Sequence, residues 1–439
     1  MKELTPGPEI RWRPVGGRGR VVVQEPGARP LSPESRLKED QATVVTVFIR
    51  WTWMRAVLHN GWWLVTSVYL VVDAGLSPAQ LVLIGSVQSV FALLCEVPAG
   101  VFADTISRKW SLVISQVLMG TAMLTTGLVS SFPLLLATQV LWGISWTFAS
   151  GSDVAWITDE LDQPGSINAV LARAARAQLT GAATGLIVLG LLAWATRRDV
   201  TIVVAGLAMM SLALYIALRF TEQRFVPVRT ARWSSSWTTF RRGLTLVRRS
   251  REILLIFAAT FLVNGASDAA GRLTQKQLLD LGLPSEPDPV IWFTGLGVAG
   301  LIVGALTLRV FGRRIDGDHA RTDYAWAAVA GVVSMLMLAL ARDPVVGAIA
   351  VVLVAGIVTP LTRVISTIWV NARTTADVRA TTHSFLAQLE YLGEIVCGLG
   401  IAAIARLTNL PLALGACAVL FAATAVLMKR QPTRDEAAL

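Results

Sequence analysis

The chain has 439 residues, 54% of them hydrophobic and only 15% charged, with a mean hydropathy of +0.58. A soluble globular domain carries about 25% charged residues, so this composition excludes one and makes the bilayer the expected solvent. The formal charge of +10, from 39 Lys and Arg against 29 Asp and Glu, falls between apolar runs, where it marks membrane-side loops and not a nucleic-acid surface. Cys95, Cys397 and Cys417 lack CxxC spacing, so neither a metal site nor a disulfide framework is expected.

In chain order, residues 1–42 mix Pro, Gly and Arg with acids and hold no sustained apolar run. They are read as a flexible cytoplasmic tail and not as a secretory signal, with Arg11, Trp12, Arg13 and residues 18–23 able to touch a membrane surface. A membrane-crossing helix needs about 20 mainly apolar residues. That ruler predicts twelve spans, at 43–72, 78–103, 109–130, 133–157, 168–196 and 200–220, then 252–279, 290–311, 323–341, 344–370, 381–407 and 410–428. The expected fold is an all-α membrane protein. Its spans group as a six-helix bundle at 43–222, a basic cytoplasmic linker at 223–250, a second six-helix bundle at 251–429 and a short tail at 430–439.

Orientation follows from the loops. Arg224, Arg229, Arg232, Arg241, Arg242, Arg248, Arg249 and Arg251 follow the sixth span, and Arg313, Arg314 and Arg321 the eighth. An excess of Lys and Arg marks cytoplasmic loops, so both termini are expected there. The two halves echo each other: Ala155-Trp156, a polar loop, 168–178 and Gly190 correspond to Ile368-Trp369, a polar loop, 379–388 and Gly400, as in transporters built from repeated bundles.

Ionisable groups inside a membrane cost about 2.5 to 3.5 kcal/mol on insertion scales, so each calls for a partner, water or a task. Arg55, Glu96 and Asp153 are expected at similar depth, with Arg55 paired to Glu96 or Asp153 either as a static helix clamp or in proton or substrate handling. Trp51, Arg55, His59 and Trp63 recur every four residues, a stripe expected to line a wet cavity, with Asn60 and Trp62 beside it. Asn264, Asp268 and Arg272 share a face of the seventh span, as an internal pair or as a site; Lys276 is expected to snorkel outward. Glu390 and Glu394 are one turn apart in the eleventh span, where mutual repulsion makes at least one hold its proton near neutral pH unless Arg363 is in reach.

Residues 100–112 carry the organising motif. Gly100 is followed four residues later by Asp104 and then by Arg108 and Lys109, between the second and third spans. This string resembles the loop signature of the major facilitator superfamily, departing from it at Thr105, where a basic residue is usual, and at Ser107, where glycine is usual. A degraded counterpart, Gly304 with Arg313-Arg314, follows the eighth span. The resemblance implies two pseudo-symmetric six-helix bundles and a bacterial, drug-efflux-like carrier in the inner membrane. It also implies a cytoplasmic gate made by Asp104, Arg108 and the Asp159 region against the start of the eleventh helix near Thr381 or Thr382. Two exporter features are altered: Gln139 stands where an arginine is usual before Gly143, and Gly181, Gly185 and Gly190 keep a glycine spacing without its proline.

The resulting expectation is a secondary transporter that exports a small amphipathic or cationic solute against protons, as a monomer, without cofactor or nucleic acid. Uptake or exchange of a small metabolite is the alternative. No GxxxxGK[ST] phosphate loop is present, which argues against direct ATP drive. With three histidines and no nucleophile beside a base, an enzyme or receptor on the same scaffold is the distant rival.

Overall fold

The computed structural model describes residues 33–161, 165–227, 250–312, 319–374 and 376–429. The tail before residue 33, Arg229 to Arg249 of the linker, Arg313, Arg314, the side chain of Thr381 and residues 430–439 lie outside it. Every described element is helical. The helices are α1 (Pro33–Val72), α2 (Pro78–Thr105), α3 (Arg108–Leu128), α4 (Phe132–Ala149), α5 (Ser152–Leu161), α6 (Ile167–Ala195) and α7 (Arg198–Arg219). They continue with α8 (Arg251–Asp280), α9 (Pro289–Phe311), α10 (Ala320–Leu340), α11 (Pro344–Leu353), α12 (Thr359–Arg373), α13 (Ala376–Leu407) and α14 (Leu410–Lys429).

Among the described residues, eleven helices are long and apolar enough to cross a membrane, with α4–α5 and α11–α12 each acting as one. The twelfth expected span, α1, falls short by composition, because Arg50, Arg55, His59, Asn60 and its tryptophans dilute the apolar residues. It nevertheless runs the length of its bundle. Gln41 Nε2 donates to Leu161 O at one end (3.1 Å) and Tyr69 OH to Val129 O at the other (2.9 Å). Helix α1 also begins at Pro33, so residues 33–42 extend the helix, contrary to the expected flexible tail.

Local chemistry sets the breaks. Helix α2 opens on a capping box, with Gln80 N donating to Ser77 Oγ (3.4 Å) and Ser77 N to Gln80 Oε1 (2.9 Å). Asp288 and Asp343 cap α9 and α11, each followed by proline at the first helical position. The fourth span bends at Gly151, whose φ of +73° suits glycine. The tenth contains a π-helical turn at Val354–Val358.

Each half has its own apolar core, one around Trp51, Trp156 and Phe220, the other around Phe257, Trp369 and Phe421. The halves repeat each other atom for atom at two crossings. A Cβ on Gly185 of α6 would lie 2.1 Å from Val57 O, and one on Gly61 of α1 2.4 Å from Gly185 O. In the second half, a Cβ on Gly393 of α13 would lie 2.1 Å from Phe261 O, and one on Gly265 of α8 2.5 Å from Gly393 O. Asn60 and Asn264, each preceding its glycine, donate to Ala56 O (2.8 Å) and Thr260 O (2.9 Å). Small residues let membrane helices approach this closely.

The same symmetry governs contacts between the halves. A Cβ on Gly190 of α6 would meet Thr294 Oγ1 of α9 at 2.1 Å, and one on Gly398 of α13 would meet Ser86 Oγ of α2 at 2.4 Å. Gly190 is therefore matched by Gly398. The expected partner, Gly400, has nothing within 4 Å among the described residues; sequence similarity alone misplaced the register by two residues.

Candidate functional site between the halves

Three charged side chains meet where α2, α8 and α13 touch. Arg272 Nε donates to both oxygens of Asp268 (2.9 and 3.1 Å), and Arg272 Nη2 to Gln88 Oε1 of α2 (3.3 Å). Its guanidinium lies 5.1 Å from the Trp63 ring centre, within cation–π range. From α13, Glu394 accepts a short hydrogen bond from Ser89 Oγ, and Ser86 Oγ donates to Glu394 O (3.2 Å). The Asp268 and Glu394 carboxylates repel each other while Arg272 attracts both. The room for Arg272 comes from Gly85, whose Cβ would lie 2.1 Å from Arg272 Nε.

The repeat supplies an internal comparison. Asp268 and Arg272 follow Gly265 by three and seven residues; Leu64 and Val68 follow Gly61 by the same steps, and both are buried. Glu394 follows Gly393 as Leu186 follows Gly185, and Leu186 simply packs on Gly297 of α9. The scaffold closes with apolar residues at all three mates.

One turn nearer the chain termini, Asn264, Ser267, Arg363 and Glu390 line a cavity of about 40 Å³ with Tyr324, Thr359, Thr362 and Ser366. Arg363 and Glu390 attract each other across it. The two glutamates of α13 still repel each other, but Glu394 faces Asp268 and Arg272 while Glu390 faces Arg363.

In the first half the expected ion pair is absent. Among the described residues Arg55 closes no ion pair with Glu96 or Asp153; it attracts Asp153 and sits over the rings of Trp51 (5.5 Å) and Trp146 (5.3 Å). Two aromatic faces can hold a guanidinium that carboxylates do not reach. Asp153 Oδ1 caps its own helix at Val154 N (2.8 Å), and Glu96 Oε1 accepts from Ser150 Oγ (3.2 Å). The aromatic stripe is also not one wet wall. Trp51 is core, packed on Phe48 and Phe220; His59 stacks on Trp142 at 5.1 Å. Trp63 does line a small cavity with Trp62, Thr66, Gln139 and Arg272. Lys276 pairs with Asp280 one turn on.

At the loop between α2 and α3, Arg108 pairs with Asp159, donates to Ala155 O (2.8 Å) and approaches Asp104 (3.8 Å). Ser107, the departure from the motif, caps α3 by accepting from Trp110 N (3.0 Å). Glu222 completes the anionic cap, accepting from Ser107 Oγ (2.5 Å) and Lys109 N (3.0 Å). Among the described residues Gly100 does not bring helices together, since its Cβ would meet nothing within 4 Å. Helix α13 starts at Ala376, ahead of the expected Thr381 or Thr382.

At the far end from the termini, Arg198 bridges the halves. It donates to both oxygens of Asp73 (2.6 and 3.1 Å) and to Asp288 (2.5 Å). The sequence reading missed this trio, although Arg197-Arg198 on the side otherwise poor in Lys and Arg was a usable signal. Two partly buried pairs worth together ~1.4 kcal/mol correspond to a tenfold population shift. Arg198→Ala should therefore raise the reaction rate of a Thr66→Cys reporter with an impermeant thiol reagent about tenfold, in a background without other cysteines. An unchanged rate would mean that the trio does not restrain this end.

The model of the Major Facilitator Superfamily matches residues 52–398. No curated protein matches the chain in sequence. Among solved structures, the nucleoside transporter NupG aligns with a TM-score of 0.72 at 14% identity, over 88% of this chain and 100% of that one. A bacterial homologue of the human lysosomal transporter Spinster, inward-facing and unoccupied, aligns at 0.62 and 16%, over 89% and 95%. A variant of the peptide transporter POT aligns at 0.68 and 12%, over 89% and 96%.

Proposed function

The chain belongs to the Major Facilitator Superfamily and is a multi-pass membrane transporter, and from that premise we propose that Asp268, Arg272 and Glu394 form its proton-coupling centre. The observation that carries this reading is the repeat comparison, since Leu64, Val68 and Leu186 do the same structural work without charge. Charge placed where the scaffold needs none, at a cost of a few kcal/mol, is there for a task. Two carboxylates and one guanidinium leave a net negative charge, and one proton removes it. The centre also joins the halves through Ser86, Ser89 and Gln88, so proton binding changes the bond that alternating access must break.

The direction we assign is export of a small amphipathic or cationic solute in exchange for protons across a bacterial inner membrane, with both termini cytoplasmic and the chain acting as a monomer. The direction follows the partial exporter glycine spacing of Gly181, Gly185 and Gly190, and Asp104, Arg108, Lys109 and Asp159 are the gate residues we assign for either direction. A second reading, uptake of a small metabolite, is favoured by Gln139, which stands where drug-exporting relatives carry an arginine. Arg55, His59, Glu96 and Asp153 stay candidates for solute contact in the first half.

The test is paired solute and pH recording in proteoliposomes, with amphipathic cations and small metabolites as probes. Export predicts proton and solute moving in opposite directions. Movement in the same direction would establish uptake, and solute flux without proton flux would overturn the coupling centre.

A further inference from the structure

The cavity of about 40 Å³ between α8, α10, α12 and α13 is built unlike the coupling centre above it. Its polar groups are unspent. Among the described residues, the Glu390 carboxylate, the Arg363 guanidinium and the Thr359 hydroxyl make no hydrogen bond, and Arg363 and Glu390 attract without closing an ion pair. The Ser267 hydroxyl oxygen is buried with no partner. Asn264 spends its amide nitrogen on Thr260 O (2.9 Å), leaving its Oδ1 toward any ligand. The buried, unpartnered Ser267 hydroxyl costs about 1 to 3 kcal/mol, while Glu390 is half-buried and Arg363 and Thr359 are exposed, so the cavity's charges stay open to a ligand or to water.

The repeat again shows that the space is specific to this half. Ser267 follows Gly265 by two residues, as Trp63 follows Gly61, and Glu390 precedes Gly393 by three, as Ala182 precedes Gly185. A serine in place of an indole opens the cavity, and a glutamate in place of an alanine charges it. The volume exceeds the roughly 10 to 15 Å³ that one water needs and fits a small head group. A lone cation would face Arg363, and a lone anion would face Glu390. Only a ligand carrying both signs satisfies both.

We propose that this cavity binds the zwitterionic head of the transported solute, an ammonium against Glu390 and Asn264 Oδ1 and a carboxylate against Arg363 and Ser267. The assignment rests on the proposed coupling reading and narrows the substrate class to amino-acid-like or betaine-like compounds with an apolar body. One turn toward the coupling centre, about 5.4 Å along either helix, the head group lies next to the carboxylates that exchange the proton.

The experiment uses the purified full chain in detergent and three probes sharing one phenyl body: phenylalanine, phenethylamine and 3-phenylpropionate. Phenylalanine is expected to bind at least tenfold more tightly than either singly charged probe. Arg363→Gln should erase its advantage over phenethylamine, and Glu390→Gln its advantage over phenylpropionate, with the melting temperatures of both variants near wild type. Equal binding of phenethylamine and phenylalanine by the wild type would overturn the proposal in favour of a cation site, and equal binding of phenylpropionate in favour of an anion site. If all three are ignored while another solute drives proton flux that Glu394→Gln abolishes, the head-group assignment fails alone. If no solute drives any proton flux, the coupling reading fails with it.

Discussion

Converting the coupling centre to its repeat-mates, Asp268→Leu with Arg272→Val and Glu394→Leu, is expected to leave the fold at least as stable as the wild type while abolishing proton-driven transport. Replacing a buried charged triad by packed apolar groups is commonly neutral or stabilising by 1 to 4 kcal/mol, and Leu64, Val68 and Leu186 show these residues at matching crossings. Arg272→Ala behaves in the opposite way, because Asp268 and Glu394 would repel each other with no cation between them. Breaking such a cluster costs about 3 to 5 kcal/mol. Thermal melting of the purified variants beside proton flux in liposomes checks both. The single variant Glu394→Gln separates coupling from movement: proton-driven accumulation should fall by two orders of magnitude or more, while solute exchange at equal pH persists. Retained accumulation in Glu394→Gln would remove Glu394 from the coupling role.

The second large effect concerns packing. Gly185→Ala would drive a methyl into Val57 O at 2.1 Å, with two more backbone atoms of Val57 within 2.9 Å. Backbone cannot step aside as a side chain can, so α1 and α6 must separate along their length. Alanine is intrinsically better than glycine inside a helix by about 1 kcal/mol, yet the net change should be a loss of about 3 kcal/mol, at the upper end of overpacking costs. Gly393→Ala should match it across the pseudo-symmetry, against Phe261 O. Gly400→Ala, with nothing within 4 Å among the described residues, is the control and should be neutral or slightly stabilising. Melting temperatures and folded yield decide the matter; equal behaviour of Gly185→Ala and Gly400→Ala would mean that the crossing yields without cost.

Much of the candidate site was visible along single helices. Asp268 and Arg272 stand four residues apart, and that spacing alone places them in contact. Glu390 and Glu394 share the same step, but the chain gave no sign that they turn to different neighbours, since that depends on which helices flank α13. Arg55 shows the reverse failure. Counting charges paired it with a carboxylate, while the structure seats it between Trp51 and Trp146, rings that a charge count ignores. Glu222 and Ser89 escaped notice because each acts on a group far away in sequence, the start of α3 and the middle of α13.

By itself the sequence determined the solvent, eleven of the expected spans by length and composition and, to within a few residues, where most begin and end. Those properties follow from local terms: about 20 apolar residues match the bilayer thickness, and proline, serine and aspartate fix helix starts without reference to distant residues. The tertiary structure decided which helices touch and in what register. Lipid and helix surfaces are equally apolar, so hydrophobicity does not choose partners inside a membrane; close fit at small residues does. That fit at Gly61, Gly185, Gly265 and Gly393 fixed the internal repeat, and the repeat in turn separated the charges the scaffold requires from those it does not.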